Sequence, residues 1–429
     1  MRRAYRASVF HCLADPGETA RADAQQYFED AVLVVDAGRI DALAPAGNLL
    51  PALGDTEIVD LRGKLLVPGF IDCHVHFPQL DIIAAYGEQL LDWLTQYAYP
   101  AEARYADAGY AAEAAGFFLD QLLAHGTTTA AVFGTVHEAS AEALFAAAHQ
   151  RDMRLIAGKV LMDVNCPPEL RDGDDSGIDA SRRLIEKWHG RDRLGYAITP
   201  RFALTSSEKQ LAAAGALAAE CGDTWIHTHL AENRQEIAAV RDAFPSSRSY
   251  LDVYARAGLL RERAVFAHCL HLDDTDRRQL AAAGGAVAFC PTSNLFLGSG
   301  LFDLRAMRAA AVRVGLGSDV GGGTSLSMLR TMSEAYKVLQ LQSQNLPASR
   351  ALYLATLGAA EALCLEDRIG SFEPGKEADF VAIDTLATPV SERRMRSAAD
   401  FADSLFAVVM LGDERHVAGT FVRGEPVSR

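Results

Sequence analysis

Histidines and one aspartate stand at the ends of apolar segments, a placement that suits metal ligands. His74 and His76 lie two positions apart at the end of one segment, so that on a strand they point to the same side. His229, His268 and Asp319 each follow or close a later apolar segment. Neutral imidazole and carboxylate are good ligands for zinc, which lowers the pKa of a bound water toward neutrality. The set therefore predicts a hydrolytic metal centre.

The strength of this signal lies in the whole set and not in one motif. A single histidine on an apolar strand is more often a hydrogen-bonded core residue, and an H-x-H pair alone is weak evidence for a metal. Four histidines and an aspartate at strand ends are much harder to explain by packing. Asp319 has two candidate roles in such a centre, because its carboxylate could bind the metal and also take a proton from the water.

The middle of the chain alternates apolar segments with Ala- and Leu-rich segments. Strands are predicted at 68–77, 126–134, 154–162, 194–202, 224–231, 264–271, 286–292 and 313–319. Helices are predicted at 106–124, 136–149, 178–188, 208–220 and 325–341. In a parallel barrel the C-terminal strand ends share one face, which is where the candidate ligands stand. We therefore predict an α/β fold with a (β/α)8 TIM-type barrel, and a doubly wound open sheet is the alternative.

Both ends of the chain are rich in strand patterns and poor in helical ones. Terminal strands are predicted at 31–35, 39–43, 379–383 and 416–422. We predict that a catalytic barrel of residues 67–375 is inserted in a small β-sandwich, to which residues 1–66 and 376–429 contribute. The polar segment 171–180 is predicted to be a surface loop.

Composition and charge exclude several classes of protein. Hydrophobic residues make up 49% of the chain, enough to bury a core, and the formal net charge is −15, which argues against binding to nucleic acid. The seven cysteines are scattered and never form C-x-x-C, so neither a disulfide framework nor a zinc site made of four cysteines is expected. Since neither a signal segment nor an 18-residue apolar span is found, we expect a cytoplasmic protein that does not bind membranes.

The motifs around the candidate ligands resemble those of the amidohydrolase superfamily over nearly the whole chain. They are the run Val67–His76, His229, His268, the pair Ser318-Asp319 and the late segment Gly370–Asp379. The resemblance implies a barrel inserted in a β-sandwich formed by both chain ends, in agreement with the pattern of elements. Lys159, on the third predicted strand, could be carbamylated and bridge two metals, but the resemblance is to the branch that binds one metal.

Within the superfamily, the chain is similar to the guanine deaminases. The matching segments are Leu91–Thr95, Met162–Pro167, Pro200–Ala203, His229–Asn233 and Ser318–Thr324. By this resemblance one Zn²⁺ per chain is bound by His74, His76, His229 and Asp319, and the substrate is held by Gln79, Arg201, Phe202 and His229. Glu232 is then the proton shuttle, and His268 orients the water or the developing oxyanion; both act with Asp319 in catalysis. Val164 and Leu204 depart from the family pattern, which has Arg and Pro there.

The implied reaction is the hydrolysis of guanine to xanthine and ammonia, a step of purine catabolism or salvage. The partner is then a small purine base, and the resemblance also implies a homodimer. One alternative is a related deaminase acting on a modified purine, a pyrimidine or an aminotriazine. Another is a metal-free binding or scaffold protein, although such a protein should have lost some of the five ligand-type residues. Glu232 could also be a surface residue that opens a helix.

Overall fold

The computed structural model describes residues 2–87, 89–173 and 175–427. The chain divides into two compact units. The first contains Met1–Asp72, Asp120–Thr128 and Ser327–Arg429, and the second contains Cys73–Leu119 and Thr129–Leu326. Among the described residues, no helix is long and apolar enough to cross a membrane.

The strands fall into two sheets. In chain order they are β1 (Arg3–Cys12), β2 (Gln25–Asp36), β3 (Arg39–Pro45), β4 (Glu57–Pro68), β5 (Phe70–His76), β6 (Thr127–Phe133), β7 (Arg154–Gly158), β8 (Val160–Leu161), β9 (Leu194–Pro200), β10 (Trp225–Leu230), β11 (Ala264–His268), β12 (Ala286–Phe289), β13 (Arg313–Leu316), β14 (Phe380–Ile383), β15 (Val417–Val422) and β16 (Glu425–Pro426).

The α-helices include the five predicted from the sequence. They are α1 (Ala46–Leu49), α2 (Leu90–Trp93), α3 (Tyr99–Ala103), α4 (Ala108–Ala124), α5 (Glu138–Gln150), α6 (Ser176–Trp188), α7 (Glu208–Glu220), α8 (Arg234–Ala243), α9 (Tyr250–Arg256), α10 (Asp274–Ala282), α11 (Pro291–Phe296), α12 (Leu304–Ala309), α13 (Met328–Gln340), α14 (Ala348–Leu354), α15 (Leu357–Ala362), α16 (Pro389–Met395) and α17 (Phe401–Leu411).

Strands from both chain ends form one seven-stranded sheet, as predicted. Its order is β16-β15-β14-β4-β1-β2-β3, and β14 from the C-terminal end pairs antiparallel with β4 from the N-terminal end. Alternate residues of β2 belong to different apolar clusters, with Leu33 in one and Val32 and Val34 in the other. Because successive side chains of a strand point to opposite faces, burial on both faces explains the continuous apolar run in this strand.

The second sheet is a parallel barrel, which confirms the predicted fold class. Its strands follow one another as β5-β6-β7-β9-β10-β11-β12-β13, and β8 pairs with β9 beside this path. The backbone N–H of Asp319 donates to the carbonyl of His74 over 2.8 Å, and the N–H of His76 donates to the carbonyl of Val320 over 2.9 Å. These bonds join the two ends of the sheet and so rule out the doubly wound alternative.

The prediction of a surface loop over 171–180 is wrong in two respects. First, the segment is not all loop, because helix α6 begins at Ser176. Residue 174 of this segment lies outside the described residues. Asp172 is not a surface residue, because only 6% of its side chain is exposed and its Oδ1 lies 2.5 Å from the Nζ of Lys159. A lysine buried to 4% exposure needs a counter-ion, and the polar segment supplies it.

Candidate active site

Four of the predicted ligands meet at the C-terminal end of the barrel strands. His74 and His76 lie on β5, His229 lies on β10, and Asp319 follows β13. One ligand atom from each residue lies within 4.8 Å of the others. Oδ1 of Asp319 is 3.2 Å from Nε2 of His74 and 3.4 Å from Nε2 of His76. The sequence prediction that these side chains converge therefore agrees with the geometry.

Hydrogen bonds determine which ring nitrogens face this cluster. Nδ1 of His229 donates to the carbonyl of Arg201 over 2.7 Å, so that its Nε2, 3.1 Å from Nε2 of His76, keeps a lone pair. Nδ1 of His74 lies 2.8 Å from Nε2 of His227, which places His227 directly behind a candidate ligand. Three Nε2 atoms and one carboxylate oxygen thus point to a common centre.

Burial keeps the clustered histidines in their neutral form. It lowers the pKa of His74 to about 3. It also lowers the pKa values of His76 and His229 well below the usual value, and the neighbouring histidines reinforce this effect. Since a metal ion binds the unprotonated nitrogen, these side chains are ready to bind a metal at neutral pH.

His268 faces the centre with its proton and not with its lone pair. Nδ2 of Asn294 donates to Nδ1 of His268 over 2.9 Å, which leaves the proton of the neutral ring on Nε2. That Nε2 is 3.4 Å from Oε2 of Glu232 and 3.8 Å from Oδ2 of Asp319. The geometry suits a hydrogen-bond donor between the two carboxyl groups.

Glu232 is a buried carboxyl group and not a surface residue. It is 2% exposed, and Oγ of Ser299 donates to its Oε1 over 2.9 Å. Burial raises its pKa well above the usual value, and the negative charge of Asp319 acts in the same direction. The interpretation of Glu232 as a residue that opens a helix is wrong, because Asn233 caps α8, which begins at Arg234. A carboxyl group with a raised pKa next to the centre can carry a proton at neutral pH.

A second buried acid holds the turn that carries Glu232. Glu236 accepts hydrogen bonds at Oε2 from the backbone N–H of Glu232 over 3.0 Å and of Asn233 over 3.1 Å. Its Oε1 accepts the hydroxyl proton of Tyr250 over 2.7 Å, and the hydroxyl oxygen of Tyr250 accepts from the backbone N–H of Ala203 over 3.3 Å. The loops after β9 and β10 are therefore linked through polar side chains.

Backbone conformation at the strand ends is unusual where the chemistry is concentrated. His268 has a φ of +70° and Asp319 a φ of +50°, both in the left-handed region that non-glycine residues rarely adopt. Beyond Asp319 the chain turns tightly, since a Cβ on Gly323 would lie 1.8 Å from the carbonyl oxygen of Ser318. The glycines after β13 thus allow a tight turn.

The candidate centre opens into a cavity lined by apolar and polar side chains. One wall is apolar and consists of Leu90, Trp93, Leu94, Phe202 and Leu297. The other side is polar and contains the predicted substrate residues Gln79, Arg201 and His229, together with Glu232, Glu236, His268 and Asp319. A cavity in which an apolar wall faces convergent polar groups is typical of a small-molecule site.

Arg201 does not stand alone in this cavity, and its partner was missed in the sequence. Nη1 of Arg201 donates to both oxygens of Glu102, over 2.8 and 2.6 Å, and both side chains are buried. Nε2 of Gln79 donates to Oε1 of Glu102 over 2.8 Å. Burial is the largest effect and acts to lower the pKa of Arg201. The charge of Glu102 and the hydrogen bonds to it, together with Tyr99 and Asp319, outweigh burial, so that the pKa is raised and the ion pair persists.

Comparisons with known proteins agree with this geometry. Residues 65–427 match the Amidohydrolase family. Guanine deaminase of Escherichia coli K12 is 50% identical over 420 residues, which cover 98% of this chain and 95% of the relative. A solved structure of E. coli guanine deaminase superposes with a TM-score of 0.97 at 48% identity and covers 100% of this chain and 99% of that chain.

A second solved structure contains a ligand. The guanine deaminase of C. acetobutylicum with bound guanine in the active site has a TM-score of 0.91 and 27% identity, and the match covers both chains completely, 100% of each. The match therefore extends over the barrel and the terminal sheet alike.

Proposed function

This chain belongs to the amidohydrolase family, and on that premise we propose that it catalyses the hydrolytic deamination of guanine to xanthine and ammonia. The observation that carries the proposal is the cavity in which Arg201, Gln79 and Phe202 stand beside the His/Asp cluster and the buried carboxyl of Glu232. Matches to guanine deaminases over 98% of the chain support the same substrate.

The residues fit one zinc ion per chain. Two ligand atoms that each lie about 2.0–2.2 Å from one zinc ion are roughly 3–3.6 Å apart. The separations of 3.2 and 3.4 Å from Oδ1 of Asp319, and of 3.1 Å between His76 and His229, are close to that spacing. His74, His76, His229 and Asp319 would hold the ion, which when bound would lower the pKa of water and supply a nucleophile at neutral pH.

Two carboxyl groups divide the proton transfers. Asp319 takes a proton from the attacking water through Oδ2, the oxygen that faces His268. Glu232 begins protonated, because its pKa is raised, and gives its proton to N3 of guanine as the oxygen adds at C2. The proton on Asp319 then passes to the departing amine. Glu232 takes the hydroxyl proton as the C2 carbonyl forms, so both groups return to their starting states and xanthine and ammonia are released.

Substrate recognition follows from donor and acceptor types. The guanidinium of Arg201 has donors only, so it suits a base that presents a carbonyl oxygen and not one that presents an amino group at that edge. Phe202, 5% exposed, contributes to the apolar wall along which the planar base can lie. N–H of His268, directed between Glu232 and Asp319, can donate to the oxygen that gains charge at C2.

The proposal extends to features implied by the resemblance of the sequence. The barrel domain is residues 67–375, flanked by the sandwich segments 1–66 and 376–429. The enzyme is proposed to be a cytoplasmic homodimer.

A substrate panel tests the proposed function. Purified protein is assayed against guanine, adenine, cytosine and an aminotriazine, and base conversion and ammonia release are measured together. We expect guanine to be turned over far better than the other three compounds. The Glu232→Gln variant, purified in the same way, shows how much activity comes from a contaminating deaminase. A clear preference for adenine or an aminotriazine would overturn the substrate, and no turnover of any amine would overturn the reaction.

A further inference from the structure

We propose that Glu102 is a positioning residue that sets base specificity, because it holds Arg201 and Gln79 as one hydrogen-bonded unit. This inference rests on the proposed function, since it concerns the pocket that would take the purine. Glu102 lies on α3, at the end of the apolar stretch Tyr97–Ala101, and is 0% exposed.

Among the described residues, the side-chain hydrogen bonds of Glu102 are made with two residues that line the cavity. Nη1 of Arg201 bridges both of its oxygens, over 2.8 and 2.6 Å. Oε1 accepts a further hydrogen bond from Nε2 of Gln79 over 2.8 Å. Because a carboxylate only accepts, it forces the nitrogen of the Gln79 amide toward itself. The amide oxygen is thereby directed to the backbone N–H of Gly321, 3.2 Å away.

This arrangement decides which donors remain for a ligand. Nη1 is used by Glu102, and among the described residues Nη2 and Nε of Arg201 have no hydrogen-bond acceptor. Arg201 lines the cavity, and its Cζ lies 5.4 Å from the ring centre of Tyr99, which limits how the guanidinium plane can turn. The N–H groups on Nη2 and Nε can therefore donate hydrogen bonds to the carbonyl edge of a purine in a fixed orientation.

Neutralising Glu102 would weaken this constraint without removing the donors themselves. A carboxamide at position 102 places an NH2 donor where Oε2 accepts from Nη1 of Arg201 over 2.6 Å, and it removes the negative charge that faces the guanidinium. Only the oxygen at Oε1 would remain to accept from Arg201 and Gln79. The guanidinium and the amide would then adopt other orientations. The pocket would still accept a flat apolar base against Phe202, but its preference for a carbonyl at position 6 of the purine would fall.

The test measures binding preference separately from catalysis. Hypoxanthine has the 6-carbonyl but no 2-amino group, whereas purine has neither, and both serve as competitive inhibitors of guanine turnover. In Glu102→Gln we expect KM for guanine and Ki for hypoxanthine to rise about 10- to 100-fold, the worth of one charged hydrogen bond. Ki for purine and kcat should change only a few-fold. The ratio of Ki for purine to Ki for hypoxanthine, which measures the preference for the 6-carbonyl, should therefore fall.

Two further variants separate specificity from stability. Asp172→Asn breaks another buried ion pair of the same barrel, with Lys159, whose residues do not line the cavity. We expect it to lower the melting temperature while leaving KM and the Ki ratio unchanged. Glu102→Asp keeps the charge but is one methylene shorter, so a smaller fall in the Ki ratio is expected.

The outcomes distinguish this inference from the proposed function. If the wild type does not deaminate guanine, the proposed function fails. If the wild type does so and folded Glu102→Gln keeps the wild-type KM and Ki ratio, the inference about Glu102 is overturned. Should Glu102→Gln fail to fold, a wild-type Ki ratio in Glu102→Asp overturns it instead.

Discussion

Replacing Glu232 by glutamine isolates proton transfer from the other properties of this side chain. The amide keeps the size of the carboxyl group and still accepts the hydrogen bond from Oγ of Ser299, which spans 2.9 Å in the structure. It cannot give a proton to N3 and take one back. General acid–base groups contribute about 10²–10⁴ in rate, or about 2.7–5.5 kcal/mol of the barrier, and we expect kcat to fall by that factor.

The raised pKa of Glu232 determines how the stability of Glu232→Gln should differ from that of the wild type. The pKa of Glu232 is raised in the folded protein, so between about pH 4.5 and that pKa the folded state binds more protons than the unfolded state. The wild type therefore loses stability as the pH rises through this window, and Glu232→Gln does not. The variant should be at least as stable as the wild type at pH 7, with the same metal content.

The assay combines xanthine formation, metal analysis and thermal unfolding on one preparation. Ser299→Ala serves as a matched control, because it removes the hydrogen bond to Glu232 but keeps the carboxyl group. A neutral hydrogen bond is worth about 0.5–1.5 kcal/mol, so a loss of roughly 2- to 13-fold is expected. Near wild-type kcat in Glu232→Gln would show that the glutamate is a bystander, and loss of the metal would show that it is a ligand.

Three other perturbations test separate parts of the account. Arg201→Ala should raise KM for guanine about 10- to 100-fold in steady-state assays. It should also destabilise the fold by roughly 3–5 kcal/mol in urea titrations, because Glu102 is left buried without its partner, and adding Glu102→Gln should restore most of this loss. Unchanged KM would argue against a role in binding the base. His229→Ala should lose bound zinc by elemental analysis and should lose activity with it, whereas full zinc content would exclude it as a ligand. Burial lowers the pKa of His11 to about 4, and its Nδ1 accepts from the N–H of Phe372 over 3.2 Å. Between about pH 6.5 and 4 only the unfolded state binds this proton, so the free energy of unfolding decreases by up to about 3 kcal/mol as the pH is lowered through this range. His11→Gln should therefore show a weaker pH dependence in urea unfolding.

The barrel could be predicted because its signal is local and repeated. Strands such as β5 and β9 are buried along their whole length, so each gives an uninterrupted apolar run, and helices separate most of them. Parallel strands joined by such crossovers place their C-terminal ends on one face. That rule alone was enough to bring His74, His229 and Asp319 together, although they are spread over more than 240 residues of the sequence.

Glu102 could not be found in this way, because its role depends on a partner 99 positions away. It lies on a five-residue helix and not at a strand end, so the rule for barrel strands does not point to it. The available signal was an acid directly after the apolar stretch Tyr97–Ala101, which would be buried and would need a cation. Asp172 was mistaken for a surface residue for the same reason, since only the fold shows that Lys159 faces it.

The central claim is a single metal ion that is required for guanine turnover at the His/Asp cluster. The most direct measurement removes the metal with a chelator, adds zinc back in known amounts, and records guanine turnover and bound zinc per chain on the same sample. The account predicts that activity is absent without metal, rises in proportion to bound zinc and reaches its maximum at one ion per chain. Full activity without metal, or a maximum only at two ions per chain, would contradict it.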